Sequence, residues 1–287
     1  MDNKTNINWY PGHMAKTKRL IKENLNLIDV VYEVIDARIP FSSKIIDIDE
    51  IVKNKPKILI MSKMDLCDLS KTNQWVKYYE SKGYNVILTD LEHNKNINKI
   101  ISLTEEITKD KFLKNQEKGM INRRIRALII GIPNVGKSTL INRLVSKKVT
   151  NTGNKPGVTK NLNWIRVNQK IELLDTPGIL WPKLDEKKSL NLASLTAIKE
   201  EILPIYDVAE YILRTLEKKY PNILEERYKI NHVEEDLIET LEIIGKKFGC
   251  IVKGGVVDYD KVISLIINDI KLGIIKNITF DDISEYE

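Results

Sequence analysis

Cysteine is scarce: the 287-residue chain carries two, Cys67 and Cys250. Two thiols cannot build a disulfide framework or a four-ligand zinc site, and they fit a reducing cytosol as inert buried or surface groups. No stretch approaches the ~18 unbroken apolar residues of a membrane helix, which excludes a helical membrane-spanning protein. Met1 to Tyr10 lacks the basic and then apolar regions of a secretory signal. It has Asp2 and no arginine, unlike a transit peptide. The expectation is a cytoplasmic protein that makes no use of a membrane. No internal repeat or low-complexity tract is present, and nothing demands more than a monomer.

What is present is a globular balance, 42% hydrophobic and 30% charged, in a length that suits two domains. Wholesale disorder is excluded. Forty-six Lys and Arg against forty Asp and Glu give +6, which suggests a polyanionic partner without establishing one. The excess is concentrated in Lys109, Lys111, Lys114, Lys118, Arg123, Arg124 and Arg126, opposed by Asp110 and Glu117. Lys16, Lys18, Arg19 and Lys22 add to it near the amino end. Such a cluster is either a solvated helix face or a surface for a phosphate backbone.

Apolar β-rich runs at 30–35, 57–61, 85–88, 127–130, 164–167 and 170–174 alternate with helical patterns such as 73–81 and 97–109. Alternation of this kind predicts an α/β fold with a mostly parallel, doubly wound sheet. The last two runs are separated by Asn168-Gln169, a tight hairpin, so one edge is expected to be antiparallel. After about Leu184, helical periodicity dominates at 189–201, 205–219, 233–248 and 259–272, punctuated by Pro204, Pro221 and Gly254-Gly255. We therefore divide the chain into an α/β domain, residues 1–182, and a small all-helical domain, 183–287.

Gly131-Ile132-Pro133-Asn134-Val135-Gly136-Lys137-Ser138 fits G-x-x-x-x-G-K-[ST], with a strand before it and a helix with Leu140, Ile141 and Leu144 after it. In such a P-loop the glycines let successive backbone N–H groups turn toward phosphates. Asn134, Val135, Gly136 and Thr139 complete the cradle. Lys137 bridges the outer phosphates, Ser138 offers its hydroxyl to Mg²⁺, and the helix N-terminus adds its positive end. Asp175-Thr176-Pro177-Gly178 closes a later strand, where Asp175 can hold Mg²⁺ through water and the Gly178 N–H meets a γ-phosphate. Thr159, in the loop Lys155-Pro156-Gly157-Val158-Thr159, could close over Mg²⁺ when that phosphate is present.

Ser62-Lys63-Met64-Asp65 follows the run 57–61, where GTP-binding proteins carry [NT]-K-x-D. Asp65 could accept from the guanine N1–H and 2-amino group, while the Lys63 stem lies along the base. Ser62 departs from the usual Asn or Thr, and its shorter side chain cannot make all of the Asn contacts. This element precedes the phosphate loop, whereas ordinary GTPases have it after. Each loop needs only to emerge from the carboxyl edge of one sheet, so the order implies a circularly permuted chain. The segment after Asp175 then leaves the switch directly for the helical domain, with little slack.

The permuted order, Trp9-Tyr10-Pro11-Gly12-His13-Met14-Ala15-Lys16, Asp36-Ala37-Arg38-Ile39-Pro40 and the run from Asp175 to Pro182 together resemble the bacterial ribosome biogenesis GTPase A (YlqF) family over essentially the whole chain. The resemblance implies a cytoplasmic GTPase, binding GTP and GDP with Mg²⁺, that acts late in assembly of the large (50S) ribosomal subunit. Its partners would be rRNA and ribosomal proteins, the rRNA met by the helical domain. It maps Asn134 to a K⁺ ligand and Asp90-Leu91 to the last base-contacting loop, though the usual S-A-K pattern is absent there. Where many GTPases orient water with a Gln, Ile179 and Leu180 stand. K⁺ could supply charge in its place, and the resemblance points to His13 to orient or deprotonate water; an rRNA contact is the alternative. His93 and His232 read as surface residues. A switch without its own Gln is expected to be slow until the large subunit orders it. Three rivals remain: a small-molecule P-loop kinase, with no use for Asp65; an RNA-binding protein with GTP as a structural ligand; and a permuted GTPase of the small subunit or an organelle.

Overall fold

The computed structural model describes residues 12–45, 48–52, 55–120, 123–145, 163–178, 185–195 and 204–286. Six strands, β1 (Val30–Asp36), β2 (Lys57–Ser62), β3 (Asn85–Leu88), β4 (Ile125–Ile130), β5 (Asn163–Arg166) and β6 (Ile171–Asp175), form one sheet in the order β3-β2-β1-β4-β6-β5. All pairings are parallel except β5 with β6, the expected hairpin edge. Its turn is built by Asn168, whose side-chain oxygen accepts from the N–H groups of Lys170 and Ile171 at 2.8 Å each.

The helices are α1 (Gly12–Asn24), α2 (Ile48–Val52), α3 (Leu69–Ser81), α4 (Ile97–Glu117) and α5 (Lys137–Val145), then α6 (Glu186–Ser194), α7 (Ile205–Lys219), α8 (Pro221–Tyr228), α9 (Leu237–Phe248) and α10 (Tyr259–Lys271). Strand alternation sorts the core. Ile35, Leu59 and Met61 pack with Trp75 and Tyr79 of α3, while Ile58, Ile60 and Val34 pack in the larger cluster that holds Ile100 of α4. β1 is buried along its whole length, as a central parallel strand must be. The Tyr32 hydroxyl spends its polarity on Thr104 of α4 at 2.7 Å.

The helical half is organised by apolar stripes, such as Val208, Ile212, Leu213 and Leu216 on α7 and Val262, Ile266 and Ile270 on α10. Asp185, Asp236 and Asp258 cap α6, α9 and α10 through the backbone N–H groups of Lys188, Ile238 and Lys261. The cap at Asp236 starts α9 later than periodicity suggests. Pro221, a break in the sequence pattern, instead occupies the first turn of α8, where its missing N–H costs nothing. Residues 278–286 then return to the sheet. Phe280 N donates to Arg38 O at 2.7 Å, and the Asp281 carboxylate accepts from Phe41 N, Ser42 N, Ser42 Oγ and Asn191 Nδ2.

The basic cluster is partly spoken for. Lys111 of α4 and Arg123 converge on the buried Asp29 carboxylate, at 2.6 and 2.7 Å, and Arg126 N adds a bond at 2.9 Å. Arg126 pairs with Glu172 at 2.7 Å across β4 and β6. Burial acts to raise the Asp29 carboxyl, but its bonds from Arg123, Lys111 and Arg126 outweigh that and hold it below its ordinary value. The stability it contributes is therefore present above the ordinary carboxylate range and fades as pH falls through it. Breaking a buried pair costs about 3–5 kcal/mol. Lys111 and Arg123 keep nearly half their side-chain surface in water. Asp29→Ala is thus expected to lose about 2 kcal/mol at neutral pH, less below pH 4, by urea unfolding.

Candidate functional site

Parallel register brings five strand ends to one edge. Asp36 lies opposite Ser62, Met61 opposite Leu88, Glu33 opposite Ile130 and Ile129 opposite Asp175. The strand order reverses between β1 and β4, which opens a crevice where the loop 131–136 emerges.

That loop is shaped by two left-handed residues, Asn134 (φ +63°) and Gly136 (φ +92°), which turn N–H groups inward ahead of α5. A Cβ on Gly131 would sit 2.4 Å from Val34 O, and one on Gly178 would sit 2.8 Å from Pro133 N. The switch end of β6 therefore touches the phosphate loop directly. Lys137 is buried and donates to Gly131 O at 3.0 Å and Ile132 O at 2.8 Å. Burial pulls its ammonium down to about 8, partly offset by the nearby Asp175 charge. Asp175 is buried at the end of β6, and Thr176 next to it donates to Ile129 O at 2.7 Å. Ser138 and Thr139 are partly buried in the first turn of α5.

The proposed base loop meets the phosphate loop through its first residue. Ser62 Oγ lies 2.6 Å from Val135 O and 3.0 Å from Ile35 O. Leu91 approaches the same place, with Cδ1 at 3.2 Å from a Cβ on Gly136. Lys63 adopts φ +62°, Met64 N donates to Thr89 O at 3.1 Å, and Asp65 is partly buried. Asp90 is buried, with its carboxylate occupied by the N–H groups of Glu92 and His93 and by His93 Nδ1 at 2.7 Å. Burial acts to raise that carboxyl and the His93 contacts lower it, with a net lowering. His93 and His232 are both exposed. Thr159, Ile179 and Leu180 lie outside the described residues, as does the His13 side chain, whose backbone opens α1.

In the sequence Asp36 and Arg38 stand only as part of the family resemblance. In the structure Asp36 pairs with Arg38 at 2.9 Å and with Lys63 at 2.8 Å. Burial opposes its charge, but Arg38 and Lys63 hold the carboxyl far below its usual range. An Asp and an Arg two residues apart at a strand end carry a faint signal; the partner at Lys63 is set by tertiary register.

The hard oxygen donors Ser138 and Asp175, beside a loop with no room for a Cβ at Gly131 or at the facing Gly178, fit a phosphate with Mg²⁺. The family described as "50S ribosome-binding GTPase" matches residues 126–251, starting at β4. Ribosome biogenesis GTPase A of Priestia megaterium is 49% identical over 283 residues, 98% of each chain. That of Thermotoga maritima is 31% identical, over 96% of this chain and 94% of its own. The crystal structure of GNP-bound YlqF from T. maritima superposes with a TM-score of 0.64 at 26% identity, over 93% of this chain and 98% of that one. The GDP-bound T. maritima YlqF structure gives 0.63 at 27% identity, over 92% and 99%.

Fold and site together define a circularly permuted P-loop GTPase, an enzyme that hydrolyses GTP. The loop order is the permuted one, with the base-side strands β1 to β3 ahead of the phosphate loop. The chain belongs to the ribosome biogenesis GTPase A family and is a GTPase of ribosome assembly.

The close approach of Gly178 to Pro133 of the phosphate loop yields a direct test. Gly178→Ala is expected to lower the stability of the nucleotide-free protein by about 1–3 kcal/mol, the usual range for overpacking, as read by thermal denaturation. An unchanged transition would mean the two loops do not touch.

Proposed function

We propose that this chain acts late in assembly of the large (50S) ribosomal subunit, as a cytoplasmic, monomeric GTP switch that the particle itself activates. The observation that carries the reading is the meeting of Ser62 and Leu91 with the phosphate loop at Val135 and Gly136, which joins a base-reading half to a phosphate-binding half. The 49% identity to the P. megaterium protein over 98% of the chain supplies the ribosomal context.

In this reading Asp65 accepts from the guanine edge, Lys63 and Met64 flank the base, and Asp90-Leu91 close its far side. Asn134, Val135, Gly136, Lys137, Ser138 and Thr139 hold the phosphates, with Gly178 at the γ-position. Ser138 and Thr159 would hold Mg²⁺, with Asp175 reaching it through water, and the ion would supply charge neutralisation at the transferring phosphoryl group. Asn134 holds K⁺. His13 orients the attacking water, and Lys137 and Thr159 complete the catalytic set. Residues 1–182 form the GTPase domain, and 183–287 the helical domain that meets rRNA and ribosomal proteins. Among the described residues no helix is long and apolar enough to cross a membrane.

The deciding experiment is GTP turnover in potassium buffer with and without purified large subunits. Strong stimulation is expected, with His13→Ala losing most of the stimulated rate while binding GDP normally. Turnover that large subunits leave unchanged would sink the ribosome-activated switch.

Lys137 adds a pH signature. Its ammonium must be charged to hold phosphate, and in the nucleotide-free protein it sits at about 8. Binding above that pH has to take up a proton, so GDP affinity should be flat below pH 7 and fall by about tenfold by pH 9. A flat profile to pH 9 in a fluorescent-GDP titration would mean that Lys137 stays charged throughout or makes no phosphate contact.

A further inference from the structure

The loop that follows β1 holds an ion pair sealed from water: Asp36 is 2% exposed and Arg38 1%. Arg38 grips the carboxylate with both sides of its fork, Nε to Oδ1 at 3.0 Å and Nη2 to Oδ2 at 2.9 Å, while its own backbone N–H adds a third bond at 3.0 Å. Lys63 Nζ completes the shell at 2.8 Å from Oδ2. Arg38 Nη1 turns the other way and donates to Ile270 O at 3.0 Å, in the last turn of α10. One guanidinium thus joins the first charged residue of the base loop to the helical half of the chain. Lysine could not do this, since it lacks the planar fork that reaches both partners.

The contact does not stand alone. The rest of the base loop is walled by the same helical half. Gly273, just past α10, comes so close that a Cβ would lie 2.8 Å from Leu66 Cδ2. Ile278 N donates to Leu66 O at 3.3 Å, and Tyr220 OH lies 3.2 Å from Asp68 Oδ2 and 3.1 Å from Thr279 O. Phe280 N donates to Arg38 O at 2.7 Å. Lys63 itself occupies the left-handed backbone region, at φ +62°, a conformation an L-residue keeps only when its surroundings hold it. A buried ion pair returns little net stability over an apolar pair of the same volume. What it supplies here is a fixed geometry for Lys63.

We propose that Arg38 is a positioning residue of the guanine site: through Asp36 it sets Lys63, and through Ile270 O it ties the base loop to the end of α10, so that guanine binding and the seating of the helical half are coupled. The inference rests on the reading of Ser62 to Asp65 as the guanine loop. Coupling of this kind is reciprocal: whatever holds the helical half in this seat tightens nucleotide binding by the same factor.

Hydrogen exchange on the full-length wild-type chain, with and without GDP and Mg²⁺, tests this without a mutation. GDP should slow exchange at 131–139 and 62–66, and also at the amides of Ile275, Ile278 and Phe280. Slowing at the loops with 275–280 unchanged overturns the coupling; no slowing at 131–139 or 62–66 overturns the guanine-site reading itself. A mutant cycle tests the route. Arg38→Gln should weaken fluorescent-GDP binding about tenfold in the wild-type background and less than about twofold when Lys63→Met is already present. Equal losses in both backgrounds would make Arg38 a purely structural residue. Should Arg38→Gln fail to fold, Tyr220→Phe removes the hydroxyl that joins Asp68 to Thr279 of the helical half. It is expected to weaken GDP binding about threefold, and unchanged affinity counts against the proposal.

Discussion

Parallel strand pairing is the constraint on which the rest depends. It gathers the ends of β1, β2, β3, β4 and β6 on one edge, in an order that reverses between β1 and β4. Loops are positioned by which strand they leave, whatever the order of those strands along the chain. The permutation therefore leaves the site intact while it changes what is attached to it. Backbone approach then sets the fine geometry: Gly131 lies against Val34 O and Gly178 against Pro133, with no room for a side chain at either.

What the permutation changes is the exit. In this chain the switch strand β6 is followed, across residues 179–184, by α6 of the helical half. Asn191 on α6 donates to Ser42 Oγ and Asp281 Oδ1 at 2.9 Å each and accepts from Tyr211 at 2.6 Å. Burial pushes the Asp281 carboxyl up, and donors from Ser42 and Phe41 counter it. The helical half is thus tied to the loop after β1 at two places, through Asn191 of α6 to Ser42 and through Ile270 and Phe280 to Arg38, while in the chain it follows β6.

Much of the architecture was legible because it rests on local signals. The phosphate loop, the hairpin at Asn168-Gln169 and the alternation of strands with helices are written within a few residues of one another. What was not legible depends on partners far along the chain. Arg38 and Ile270 are 232 positions apart. Arg123 gives no sign that it serves Asp29, so a basic run that suggested a phosphate surface proved to be partly internal structure. α6 covers the first part of the helical pattern at 189–201, and residues 196–201 lie outside the described residues. α8 went unread because Pro221 stops one helix and starts another, and one residue type cannot say which.

Ser62 shows how a departure from a common pattern is absorbed. Its hydroxyl lies within bonding distance of two carbonyls, Val135 O and Ile35 O, but it has one proton to give. A side-chain amide offers two N–H groups and could serve both at once. The shorter contact, 2.6 Å to Val135 O, takes the proton, and it is the one that joins the base loop to the phosphate loop. The deficit is one neutral hydrogen bond, worth about 1 kcal/mol. It falls on the link inside the sheet, where Ile35 is already held by β1 pairing with β2. The link between the two halves of the nucleotide site is kept, and the loss is taken where backbone pairing already does the same work.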